Sequence, residues 1–161
     1  MDWEHIERLI ANLAAKLTAR SWWLATAESC TGGLIASELT NISGSSDWYV
    51  GGVVAYSNSI KEELLGVPPP VITANGAVSR EVVLAMAQGA AMRFKTQCSL
   101  AVSGVAGPTG GTPEKPVGTV WIGWSVNGVV TAELFHFSGD RLSVKRQSAL
   151  AALSGMSTLL G

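Results

Sequence analysis

An apolar run, SWWLATAE at residues 21–28, stops at Ser29-Cys30-Thr31-Gly32-Gly33, and the chain resumes as LIASELTNI. A short run without alternation reads as a strand buried on both faces, and the segment after the glycines reads as a helix. Strand, small-residue turn and helix form the unit of α/β folds, in which ligands gather beyond the carboxyl ends of the strands. This one stretch therefore sets both the fold class and the first place to look for chemistry.

The rest of the chain extends the pattern. Ile6, Leu9, Ile10, Leu13 and Leu17 recur at helical spacing, with Glu7, Arg8, Asn12 and Lys16 off that face. GGVVAYSN at 51–58 reads as a second strand and SIKEELLG as a short helix stopped by Gly66, while VPPP at 67–70 fits neither element. Ser79 is placed to cap a helix through EVVLAMAQGAAMRF, whose small residues permit close packing on a sheet. CSLAVSG is a third strand. The Gly/Pro-rich connection at 104–116 follows it, and a loop of that length inside a compact domain is usually functional. TVWIGWSV and VVTAELFHF flank Asn127-Gly128, a hairpin signal. A closing helix follows SGDR, with Val144, Leu150, Ala151, Leu153, Leu159 and Leu160 as apolar positions. The expected order is αβαβααβ, then an antiparallel pair, then α: a mixed sheet with helices on both faces. No repeat or linker divides the 161 residues, so a single domain over 1–161 is expected. Trp3, Trp22 and Trp23 are expected in the core or at an interface between copies.

Composition narrows the function classes. A net charge of −1 argues against a broad basic field for nucleic acid. No run of about 18 apolar residues suggests a membrane span, and residues 1–20 do not resemble an export signal. Cys30 and Cys98 have neither metal-ligand spacing nor a disulfide framework, which fits a reducing cytoplasm and no bound metal or cofactor. With 47% hydrophobic and only 14% charged residues, the surface is sparingly charged, as in a chain that hides apolar area in a homo-oligomer.

Elimination then shapes the chemistry. A serine or cysteine nucleophile served by histidine needs one nearby, and there are two. His5 lies on the first helix, and His136 sits between Phe135 and Phe137, facing away from them. Lysine is the other common base for a serine, provided that desolvation keeps it neutral. Of Lys16, Lys61, Lys95, Lys115 and Lys145, Lys61 follows a strand end and lies five residues after Tyr56, whose hydroxyl would orient it or relay its proton. The plainer alternative is a lysine on an exposed helix face beside Glu62 and Glu63. No S-x-x-K occurs, so any serine–lysine pair must form through the fold. Ser29 and Thr31 are equally suited to cap the following helix, and Gly32-Gly33 to allow tight packing. The turn also directs N–H groups at its mouth, which suits an anion or oxyanion. Cys30 is the better intrinsic nucleophile, yet adjacent residues diverge and only one of the pair faces a site. The loop at 103–116 lacks the lysine of a P-loop. Ser103 ends a strand where a hydroxyl is useful. Arg141 stands at a helix start, a poor place for a cation unless it meets an anionic ligand or pairs with a carboxylate such as Asp140.

Seven blocks in order, TAESCTGG, GSSDWYVGGVVAYSN, Lys61, NGAVS, VSGVAGPTGG, EKPVGTVWIG and FSGDR, resemble the CinA C-terminal domain family over about residues 6 to 155. The resemblance implies a three-layer α/β/α sandwich with a mixed, mostly parallel sheet. It implies hydrolysis of the carboxamide of nicotinamide mononucleotide, giving nicotinate mononucleotide and ammonia in pyridine-nucleotide salvage. It makes Ser29 the nucleophile, Lys61 its base and Tyr56 an aid to that base. Backbone N–H groups of Cys30, Thr31, Gly32 and Gly33 become the oxyanion site. Ser103, Gly104, Ala106, Gly107 and Arg141 become the hold on ribose and phosphate. The nucleotide pyrophosphatase domain of larger family members is not expected here. Two other readings remain open: a nucleotide- or partner-binding module without turnover, and an amidase for another small amide.

Overall fold

A computed structural model describes residues 2–161. The elements are α1 (Trp3–Arg20), β1 (Leu24–Glu28), α2 (Leu34–Thr40), a 3-10 turn (Ser45–Asp47), β2 (Tyr49–Val54), α3 (Asn58–Leu65), α4 (Pro69–Asn75), α5 (Arg80–Phe94), β3 (Cys98–Gly104), β4 (Thr119–Val126), β5 (Val129–His136) and α6 (Arg141–Leu160). The five strands lie in the order β2-β1-β3-β4-β5. β1 pairs parallel with β2 and β3, while β4 pairs antiparallel with β3 and β5. The sheet is thus mixed, and β4 alone runs against the common direction.

Two apolar clusters cover the two faces, as the α/β reading requires. On one side, Leu24, Leu100, Val102, Val120 and Ile122 meet Ile6, Ile10, Leu13 and Leu17 of α1 and Val144, Leu153 and Met156 of α6. On the other, Ala27 and Ala101 meet Val82, Val83, Met86, Ala87 and Ala90 of α5. The second sheet face is built from small residues, so α5 approaches closely. Ser99 Oγ donates to the Ala87 carbonyl at 2.5 Å, and a Cβ at Gly123 would press on the Val83 carbonyl. Gly89 performs the same service on the far side of α5, where a Cβ would overlap the Leu65 carbonyl at the end of α3.

Several local readings are refined. Pro69 and Pro70 open α4 instead of excluding it, because first-turn N–H groups have no helical partner to lose. β2 begins two residues before the expected strand and ends at Val54, since Ser57 caps α3 by accepting from Ile60 N. Asn127 and Gly128 take the positive φ values, 48° and 87°, that a tight two-residue hairpin demands. Trp3 and Trp23 are exposed, contrary to the core assignment, and Trp22 is half-buried. The fully packed tryptophans are Trp48 and Trp124, the latter donating its indole N–H to the Ala152 carbonyl. Among the described residues, no helix is long and apolar enough to cross a membrane.

Candidate active site

The parallel strands β1 and β3 end side by side, and Ser29 N donates to the Val102 carbonyl across them. Above these ends lies a cavity of about 400 Å³, within the range of small-ligand sites. Ser29, Cys30, Tyr56, Lys61, Ser103, Gly104, Ala106, Gly107 and Arg141 all line it. Thr31, Gly32 and Gly33 do not. Asn58, Ala77, Val78 and Thr109 also reach the cavity; none was singled out as a site residue, although each lies within one of the seven ordered blocks.

Lys61 is the most instructive of these residues. It shares the inward face of α3 with Leu65, one turn on, and is only 1% exposed. The exposed-face alternative is therefore overturned. Its Nζ lies 2.9 Å from Ser29 Oγ, 2.8 Å from the Ala55 carbonyl and 3.0 Å from the Tyr56 carbonyl. Among the described residues no carboxylate forms an ion pair with it, and burial pushes its amine down from 10.5 to about 8. As an ammonium the group donates to all three oxygens; once neutral it keeps two N–H bonds for the carbonyls and has a lone pair free on the Ser29 side.

The Tyr56 expectation needs correction at this point. Its main-chain oxygen, not its phenol, holds Lys61. The phenol Oη instead accepts from Arg141 Nη2 at 3.3 Å. Arg141 Nη1 donates to the Gly107 carbonyl at 2.7 Å, so one guanidinium spans the cavity mouth from Tyr56 to the 104–116 loop. Asp140 does not pair with Arg141, because its carboxylate caps α6 by accepting from Ser143 N. Gly107 has φ 83°, and a Cβ there would strike Val117, so only glycine fits at the residue whose carbonyl meets Arg141. The loop is tied down by Val105 N to the Thr119 carbonyl and by Lys115 Nζ to the Asn75 carbonyl. Ser103, 1% exposed, donates its hydroxyl to the Ala77 carbonyl at 2.8 Å.

Neither Ser29 nor Thr31 caps α2. That task falls to Glu28, whose buried carboxylate accepts from Ile35 N at 2.8 Å and Ala36 N at 3.0 Å. The same residue's carbonyl accepts from Ala55 N at 2.7 Å, and Ala55 in turn holds Lys61. Glu28 thereby joins the Ser29 turn to the strand that positions the lysine. A cap reaching seven and eight residues ahead follows no local spacing rule, so the sequence carried no signal for it. Within the turn, Gly32 N donates to the Ser29 carbonyl, whereas among the described residues Cys30 N–H donates to no main-chain carbonyl.

Cys30 lines the cavity together with Ser29, contrary to the expectation that only one of the pair would, but it is chemically quiet. Burial first, and Glu28 in addition, push its thiol up to about 12, so it remains protonated at neutral pH. Both histidines are exposed, with Phe135 and Phe137 stacked at 5.3 Å. Among the described residues, no group of three or more His, Cys, Asp or Glu side chains is placed to hold a metal ion.

Residues 6–160 match the sequence model of the CinA C-terminal domain. A nicotinamide-nucleotide amidohydrolase PncC of Enterobacter agglomerans is 46% identical over 154 residues, covering 95% of this chain and 94% of the relative. A protein of the same name from Pseudomonas putida is 48% identical over 151 residues, with 94% of each chain covered. The crystal structure of competence damage-inducible protein A (ComA) from Klebsiella pneumoniae subsp. pneumoniae MGH 78578 superposes with a TM-score of 0.93. It shares 36% identity over 96% of both chains.

Proposed function

The chain belongs to the CinA C-terminal domain family, and from that premise we propose that it hydrolyses the carboxamide of nicotinamide mononucleotide to nicotinate mononucleotide and ammonia through a Ser29–Lys61 pair. The observation that carries this reading is the 2.9 Å contact between Lys61 Nζ and Ser29 Oγ inside a lined cavity, with the amine's remaining bonds directed to carbonyls.

Neutral Lys61 takes the Ser29 proton as Oγ attacks the amide carbon. The oxyanion that develops is met by the Cys30 N–H beside it; one such donor supplies roughly 3 kcal/mol. The tetrahedral species collapses as protonated Lys61 returns the proton to the departing nitrogen, which leaves as ammonia. Water, deprotonated by the same amine, then cleaves the acyl ester and restores Ser29. Arg141 and the 103–111 backbone anchor the phosphate and ribose. The guanidinium is already held at the mouth, and the buried anion position at α2 is occupied by Glu28.

Ammonia release from purified protein given nicotinamide mononucleotide, beside thermal-shift binding, tests this reading. Release with saturation supports it. Binding without ammonia replaces it with a binding module, and ammonia only from other amides replaces the substrate.

A further inference from the structure

The reaction proposed above sets a problem in charge. The pyridine ring of an N-ribosylated nicotinamide carries a positive charge, yet the cavity offers it no carboxylate: none of its described lining residues is Asp or Glu. The fixed cation Arg141 also stands at its mouth. A desolvated cation without a partner binds poorly. The lining does contain one aromatic ring, Tyr56, whose side chain is 62% exposed and free to be covered by a ligand.

Tyr56 is held both through its main chain and through its phenol. The Tyr56 carbonyl lies 3.0 Å from Lys61 Nζ, at the reacting end, and its Oη lies 3.3 Å from Arg141, at the mouth. Tyr56 thus reaches, through its main chain, the group that attacks the amide and, through its phenol, the group that anchors the phosphate, and it lines the cavity. A nucleotide lying between those two ends brings its pyridinium beside this ring.

We infer that Tyr56 is a specificity residue: its aromatic face receives the cationic pyridinium ring by a cation–π contact and selects charged N-substituted pyridine carboxamides over neutral ones. An aromatic face presents the negative lobe of its quadrupole to a cation, and the attraction grows as water is excluded. The phenol proton has no part in this role, in keeping with a phenol oxygen that accepts from Arg141 and makes no hydrogen bond with Lys61 among the described residues. The inference rests on the deamidase reading for its substrate.

The test compares two ligands that share ribose and phosphate and differ in ring charge: nicotinamide mononucleotide and its neutral 1,4-dihydro form. Dissociation constants are measured by calorimetry in the Ser29→Ala background, with Tyr56, Tyr56→Phe and Tyr56→Leu. The expected result is that the Tyr56 and Phe proteins bind the cationic form about 10-fold more tightly, and that Leu reduces the ratio to near one. An unchanged ratio in the Leu protein overturns the inference. So does equal loss in Phe and Leu, which would assign the effect to the hydroxyl, or the absence of any charge preference with Tyr56 in place. Ammonia release from nicotinamide mononucleotide by the unsubstituted protein is scored separately, so failure of the deamidase reading is distinguished from failure of the ring contact.

Discussion

Lys61 Nζ and Ser29 Oγ meet at 2.9 Å although 32 positions separate them, the serine directly after β1 and the lysine on α3, the helix that follows the neighbouring parallel strand β2. Among the described residues the lysine has no carboxylate partner in an ion pair, and it is almost fully buried, which is the condition under which an amine serves as a base near neutral pH.

That condition gives a pH dependence of definite sign. Burial lowers the Lys61 amine to about 8, and only its neutral form accepts the serine proton. With nicotinamide mononucleotide, kcat/KM should rise with unit slope on a logarithmic plot up to about pH 8 and then level. Lys61→Met should lose on the order of 10²- to 10⁴-fold in kcat. A flat profile from pH 6 to pH 9 would remove Lys61 as the base.

The two adjacent nucleophile candidates should separate cleanly. Ser29→Ala is expected to abolish ammonia release while retaining nucleotide binding, and Cys30→Ala to stay within a few-fold of full activity. Because the Cys30 thiol is pushed up to about 12, native protein at pH 8 should resist iodoacetamide where denatured protein does not. Mass spectrometry of the alkylated protein reads the outcome. Rapid native labelling at Cys30 with loss of turnover would reverse the choice of nucleophile.

Arg141→Ala should act on binding more than on chemistry. Losing a charge-assisted bond to phosphate costs roughly 1.5–3 kcal/mol, so KM for the mononucleotide should rise about 10- to 100-fold with kcat largely kept. The effect should shrink for the riboside, which has no phosphate. An equal KM change for both substrates would take Arg141 out of that role.

Glu28→Gln tests the link between the serine turn and the lysine. An amide side chain offers one acceptor oxygen where the carboxylate offers two, leaving at least one α2 N–H without its bond. Denaturant unfolding should show a loss of about 1–3 kcal/mol. Steady-state kinetics should show a lower kcat at nearly constant KM, since Ser29 and the Ala55 carbonyl are displaced together. Full stability and full kcat in this variant would leave Glu28 with no such function.

Local patterning made much of the fold legible. The boundaries of β3 and β4 follow from runs of apolar residues, the hairpin from Asn127-Gly128, and the start of α5 from Ser79, whose side chain caps its first turn; SGDR marked the start of α6, but the Asp140 cap emerged only in the structure. α4 escaped because three prolines suggest a break until the chain direction shows two of them in a first turn. The exposed Trp3 and Trp23 escaped because burial of an aromatic depends on what lies opposite it, which a one-dimensional period does not encode.

The candidate site divides along the same line. The linear chain by itself determined a strand ending in Ser29, a lysine just beyond a second strand, two histidines unsuited to a triad, and a family resemblance in seven ordered blocks. Those features depend on residue type and short spacing. Tertiary structure alone decided that Lys61 is buried against Ser29, that Tyr56 gives its carbonyl to Lys61 and its phenol to Arg141, and that Glu28 caps α2. The physical reason is common to all three: a hydrogen bond or a desolvated charge between distant positions exists only once the sheet has brought the strand ends together.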